Sequence, residues 1–408
     1  MTHDPGPRKQ RRRRAAARDL TLHASLLAAL LWTAVAADLL SPGPLGRYSG
    51  VQKGNDFAQF YTMASLAASG RFDSLEDDVK FRSAQQPYLA PAARVSYPPL
   101  YGPQVAIVLA PLSLIPYLPA LALWISITIA GTVWAVRRCW RACPPLLEWW
   151  HPVLAVTAAF PPLAYLVLAG QLSALTVVSL ALVVSALARG SKLLAGLALG
   201  ILGYKLSLFV PAVAVCVLAG EGTMALAAVA LAVAQVLVVV PLVGIGVVGA
   251  FISNTLSAAR APDALAVTPS LMFSLRTLWS QLLSGAAATI AYGVSAAAVW
   301  AVTAHRWRRT PDPLRRVALL AISIVLTAPH LFLYDLVVLM PAFITSAGIL
   351  VLRRLPVLRW ATTAAFLSPL ATPPVAYLTG LQLAPLVLAG WLAILLSTDV
   401  QGEAPAPD

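Results

Sequence analysis

Charge is scarce in this chain. Only 11% of its 408 residues are Asp, Glu, Lys or Arg, against about 25% in soluble domains, which excludes an ordinary soluble globular protein. Acids are scarcer than bases, 16 against 29, so each carboxylate outside the tails is a candidate for chemistry. Cysteine is also rare. Cys139, Cys143 and Cys216 are too few for a disulfide framework, and the CxxxC pair Cys139/Cys143 has no further metal ligands near it. The alternation of apolar and polar residues that marks a membrane β-barrel is missing. The net charge of +13 and pI of about 10.1 would suggest nucleic acid in a soluble protein. Here aromatic residues are not interleaved with the basic ones, so no nucleic-acid partner is expected.

What is present is apolar. Hydrophobic residues make up 59% of the chain, and mean hydropathy is +0.78. Runs long enough to cross a bilayer core recur from Leu20 to Leu396, with basic clusters between them in the positive-inside pattern. The expected fold class is an all-α polytopic membrane protein of about 11–13 transmembrane helices. Residues 1–19 read as a disordered basic cytoplasmic tail, residues 20–398 as one transmembrane domain, and residues 399–408 as a disordered tail. Helix 1, at Leu20–Leu40, would run outward. Residues 41–98 then form a first outer loop, with amphipathic helices at Ala58–Ser69 and Ser74–Gln86 lying along the interface. Residues 252–281 form a second outer loop. In the second half, His305–Arg316 and Arg353–Arg359 fall inside, as the charge rule requires. The first half conflicts with it: if Leu100–Val136 crosses twice, Arg137, Arg138 and Arg141 end up outside. One segment before Phe251 must be re-entrant, broken or double, and Lys205 is a plausible break.

Ionisable and polar residues at membrane depth are functional candidates by default. Asp56, in Asn55-Asp56-Phe57-Ala58-Gln59, sits at the mouth of the apolar region and is the candidate catalytic base. Lys205, Asp335, His330 and Gln171 interrupt apolar stretches. Tyr97 opens the return to the membrane at Tyr97-Pro98-Pro99-Leu100, and Asn254 and Arg276 lie in the second outer loop. Each has a plainer reading. Asp56 could cap a helix starting at Phe57, Lys205 could snorkel, Asp335 could pair with a base and brace packing, and Gln171 could cap a turn. Asp38, at the end of helix 1, reads as structural. Asp73, Glu76, Asp77 and Asp78 leave a divalent cation open but read better as solvated loop acids. No metal site and no cofactor is expected.

Taken in order, Asn55-Asp56-Phe57-Ala58-Gln59-Phe60-Tyr61, Ser96-Tyr97-Pro98-Pro99-Leu100-Tyr101, Ala110-Pro111-Leu112, Gly170-Gln171, Gly196 to Lys205, Pro329-His330 and Tyr334-Asp335 resemble glycosyltransferase family 87. Leu206 stands where that family often has proline. The resemblance implies a GT-C fold, a polyprenyl-phosphate sugar donor, a glycolipid or glycan acceptor, and a site on the outer face of the plasma membrane. It also implies that Asp56 is the base and that mannose is the favoured sugar, transferred with inversion. Lys205, His330 and Arg276 are then candidates for the leaving phosphate, with Gln171, Asp335, Tyr97 and Asn254 as further substrate contacts. A transporter or flippase of lipid-linked sugars is the alternative, favoured by a helix broken at Lys205 but opposed by the absence of an inverted repeat. A non-catalytic scaffold is a third.

Overall fold

The computed structural model describes residues 7–90, 101–260, 269–353 and 355–398. Among them the chain is helical, with only two isolated bridges of β type: an all-α polytopic membrane protein. Helix α1 (Pro7–Leu39) is continuous through the arginine run, so residues 7–19 are helical rather than a disordered tail. Arginine and alanine are strong helix formers, and an apolar helix continues directly from them. Residues 399–408 lie outside the described residues.

Between α1 and the next long helix lie α2 (Asn55–Ala68), α3 (Asp78–Gln85) and α4 (Pro103–Leu109), the last continuing as a 3-10 turn to Leu114. Helix α2 covers the segment expected as the first amphipathic helix, and most of it is packed within the protein. Phe57 to Ala64 and Leu66 are all buried, because α2 packs against α4 and the turn after it. Leu100–Tyr117 is not a crossing. Pro103–Leu114 rises roughly 18 Å against a core of about 30 Å, and Pro111 and Pro116 end it.

The remaining helices are α5 (Tyr117–Arg141), α6 (Trp150–Ala158), α7 (Pro161–Ala169), α8 (Ala174–Ala188), α9 (Lys192–Gly200) and α10 (Leu206–Leu218). Then come α11 (Gly222–Leu237), α12 (Val240–Val243), α13 (Ile245–Arg260), α14 (Leu275–Leu282) and α15 (Gly285–Arg309). Last are α16 (Pro313–Thr327), α17 (Met340–Leu352), α18 (Pro356–Thr379) and α19 (Ala384–Ser397). Among the described residues, five stretches are long and apolar enough to cross a membrane: Ala17–Leu39, Tyr117–Arg141, Gly222–Val243, Gly285–Arg309 and Leu333–Leu352. The pair α6–α7, bent by 55°, makes a sixth if taken as one span. The expected 11–13 spans are thus not all full-length helices. Several are short apolar helices, such as α8, α10 and α19, because glycine and proline interrupt the runs. In the segment expected as the second outer loop, residues 252–260 and 275–281 are helical, through α13 and α14.

The helices run between two ends. At the basic end a cavity of about 420 Å³ is walled by Ala142, Cys143, Arg306, Arg309, Arg315 and Leu352. Nearby, Trp307 donates to Glu221 (3.2 Å), which pairs with Lys192 (2.7 Å), and Arg306 donates to the Thr398 carbonyl (3.2 Å). At the polar end the Tyr117 hydroxyl donates to the carbonyls of Lys53 and Gly54 (2.8 and 2.9 Å), and Trp124 to that of Gly170 (3.0 Å). Gln382 donates there to the Ser270 carbonyl (2.6 Å), and Phe273 to that of Leu331 (3.1 Å). The chain therefore leaves α1 and enters α5 at the polar end. The end of α5, with Arg137, Arg138 and Arg141, lies at the basic end, where Ala142 and Cys143 wall the cavity.

Helix α16 forms the core: Leu314 to Thr327 are buried except Arg316, as suits a helix apolar on every face. Elsewhere, α9 and the 3-10 turn after it lie close to α11. A Cβ on Gly200 would come within 2.7 Å of the Ala228 carbonyl, and one on Gly203 within 2.7 Å of the Ala232 Cβ. Small residues permit such approach where lipid gives no hydrophobic drive.

Candidate active site

Four interruptions of helix meet at the polar end. The first is the start of α2. Its N-cap is Gly54, in the left-handed region at φ 59° with no side-chain cap, so Asp56 lies in the first turn and is not the cap. The second is the turn between α7 and α8, where Gly170 takes φ +69° and a Cβ would lie 2.7 Å from that of Phe57. Glycine there provides both the left-handed conformation and room for α2. The third is a 3-10 turn, Ile201–Tyr204, followed by Lys205 in extended backbone before α10. The fourth is the 3-10 segment Leu333–Leu339 leading into α17.

These breaks bring Asp56, Gln171, Lys205 and Asp335 together. Gln171 Nε2 donates to Asp56 Oδ2 at 2.9 Å. Its Oε1 accepts from the Tyr101 hydroxyl (3.0 Å) and the Leu172 N–H (2.7 Å). Tyr334 also faces Asp56. Lys205 Nζ donates to both oxygens of Asp335, at 2.6 and 2.8 Å, and lies 5.4 Å from the centroid of the Tyr334 ring. Asp335 also accepts from Ser173 Oγ (2.5 Å) and the Phe332 N–H (3.1 Å). Lys205 is thus ion-paired rather than snorkelling, and Asp335 both pairs with a base and braces three chain breaks. Tyr101 and Tyr204 stack at 6.2 Å, and the Tyr204 hydroxyl meets Thr176 at 2.7 Å.

Burial pushes the Asp56 carboxyl up to about 6, against the lowering effect of Gln171, Tyr334 and Lys205. The group is mainly ionised at neutral pH yet close to its midpoint, the range that suits a base. Burial, with the Lys205 charge next, holds His330 down at about 4, so its ring is neutral. His330 sits in the loop after α16, within electrostatic reach of Lys205, Asp335 and Arg276. Arg276, in the first turn of α14, is brought there by the Phe273 N–H bond to Leu331. Burial also keeps the Tyr101 phenol protonated far above its usual range, as its donation to Gln171 requires.

Other expected residues fall elsewhere. Asn254 donates to the Glu76 carbonyl and carboxylate (both 3.1 Å), tying α13 to the segment before α3, and does not join the Asp56 network. Tyr97 lies outside the described residues. Asp38 accepts from the N–H groups of Tyr48 and Ser49 and the Ser49 hydroxyl, shaping the chain after α1. Among the four loop acids, Asp73 pairs with Lys80, Asp77 caps α3, Asp78 lies 3.9 Å from Arg82 and Glu76 holds Asn254. No group of three or more His, Cys, Asp or Glu among the described residues could hold a metal ion. Sequence reasoning did not single out Tyr101, Tyr334 or Ser173 as site residues. Their one signal was a hydroxyl beside a chosen polar residue, as in Tyr334-Asp335 and Gln171-Leu172-Ser173.

A many-helix membrane domain with an acid, an amide and an ion-paired lysine at one end defines an integral membrane protein with a buried polar cluster. The sequence pattern of glycosyltransferase family 87 matches residues 100–332, more than half of the chain. The protein belongs to that family and is a membrane glycosyltransferase. The matched span includes Tyr101, Gln171, Lys205, Arg276 and His330; Asp56 lies before it and Asp335 just beyond. Comparison with curated proteins and with solved structures found no match.

Proposed function

We propose that this glycosyltransferase moves a hexose, with mannose favoured by the family resemblance, from a polyprenyl-monophosphate donor to a hydroxyl of a glycolipid or glycan. The acceptor oxygen attacks the anomeric carbon. The bond from that carbon to the phosphate oxygen breaks, and its electron pair leaves with polyprenyl phosphate. The hydroxyl proton passes to Asp56. A single displacement with one base on the far face inverts the anomeric centre, as in inverting glycosidases. The phosphate leaves as a stable anion, so no general acid is required. Lys205, oriented by Asp335, and Arg276 supply positive charge near it. His330, neutral by burial, offers a hydrogen bond rather than a charge. The prenyl chain would lie among the apolar helices, stabilised by about 0.8 kcal/mol per buried methylene.

The observation that carries this reading is Asp56 itself, a half-buried carboxylate at the polar end with its pKa near 6, beside Lys205 and Asp335. The clustering of arginines at the opposite end supports a cytoplasmic basic end, and so a site on the outer face of the plasma membrane. No resident cofactor enters the scheme. The test is transfer from radiolabelled polyprenyl-phosphate mannose to a membrane-lipid extract by purified protein in detergent. Asp56→Asn should lose nearly all turnover while still binding donor. Transfer at wild-type rate by that variant, or no transfer by either form with any polyprenyl-phosphate hexose, would overturn the proposal.

A further inference from the structure

We propose that Gln171 is a positioning residue that aims the Asp56 carboxylate, and not a contact to the sugar. The inference rests on the reading of Asp56 as the base and assigns that base an orienting partner. Gln171 occupies the α7–α8 turn, only 2% exposed. The Leu172 backbone N–H can only donate, so the Gln171 atom facing it at 2.7 Å must be the oxygen. The Tyr101 hydroxyl donates to the same oxygen. Both acceptor sites of the amide are thereby filled from within the protein, and its NH₂ is forced toward Asp56 Oδ2. Tyr334 lies against both Asp56 and Gln171. Little of the amide is left to meet a ligand. Gln171 holds one carboxylate oxygen at 2.9 Å, and the other accepts a longer hydrogen bond, 3.3 Å, from Asn55 Nδ2. Gly170 holds the turn in register, since a side chain there would strike Phe57, the residue after the base.

A donor facing the carboxylate stabilises its ionised form, and Gln171 lowers the Asp56 pKa in this way. The other groups facing Asp56 are Tyr334, Lys205, Asp335 and Tyr101. Gln171→Met leaves all of them in place and removes only the amide. The acid limb of kcat/KM, near pH 6 in the wild type, should move upward by about half a pH unit or more. kcat should fall by up to about 10²-fold, as for a misplaced reacting group, while the donor KM changes little. Tyr101→Phe, which removes one of the two locks on Gln171, should shift the limb less and in the same direction; it decides the matter if Gln171→Met does not fold.

The assay uses the full-length protein in detergent with polyprenyl-phosphate mannose as the probe. An unmoved limb in both variants, or a raised donor KM with kcat retained, overturns the assignment. Asp56→Asn, run alongside, separates the two proposals. If that variant is inactive and the limb stays fixed, only the role of Gln171 falls. If it keeps transfer, the reading of Asp56 falls as well.

Discussion

Removing one partner of the Lys205–Asp335 pair should damage the fold more than removing both. The Asp335 side chain is 1% exposed and that of Lys205 12%, so neither charge can turn to water in the other's absence. Taking one member out of a buried ion pair costs about 3–5 kcal/mol, while replacing the pair by apolar side chains of similar volume is often neutral. Asp335→Leu also strips acceptors from Ser173 and Phe332, which places it at the upper end of that range. With an unfolding entropy of roughly 2.1 cal/mol/K per residue, one kcal/mol moves the midpoint of a chain this size by about 1.2 °C. Asp335→Leu should therefore lower the midpoint in detergent, read by tryptophan fluorescence, by about 4–6 °C. Lys205→Met should do nearly as much. The double variant should recover most of the loss without regaining transfer. If the two losses simply add, the pair is not coupled, and the view of Asp335 as the group that orients Lys205 is wrong.

Two further predictions follow the same geometry. Gly170→Ala meets both a left-handed backbone and the Phe57 Cβ, and strain of this kind costs about 1–3 kcal/mol. Transfer should fall along with stability because Asp56 and Gln171 lose register, and unimpaired kcat would contradict this. Asp56 stands near 6 in the folded protein, above its ordinary 3.8. Its contribution to stability is therefore complete below about pH 3.8 and lost as pH rises through about 6. Asp56→Asn should accordingly melt above the wild type at pH 7.5 and level with it near pH 4, by scanning fluorimetry; equal midpoints at both pH values would refute the burial of that charge.

Composition was sufficient for the class. A chain with 59% hydrophobic and 11% charged residues has too little charge to cover a soluble surface, and its apolar runs must be helical because lipid offers backbone groups no partners. The chain breaks were legible where residue chemistry forces them: Gly170-Gln171 and the lysine after Gly203-Tyr204 were singled out for interrupting apolar runs. The burial of α2 was not legible, because α4 and the turn after it, which cover it, come from later in the chain. The conflict over Arg137, Arg138 and Arg141 came from counting Leu100–Tyr117 as a span, although Pro103, Pro111 and Pro116 interrupt it.

The sequence by itself determined that the protein is helical, lies in a membrane and keeps its rare acid, amide and lysine at the margins of apolar segments, since transfer free energy acts on each residue wherever the chain goes. It could not decide which of those polar residues touch. Asp56 and Gln171 are 115 positions apart, and Lys205 and Asp335 are 130. Only packing closed those distances: glycines let helices approach until buried donors and acceptors had no partners but one another.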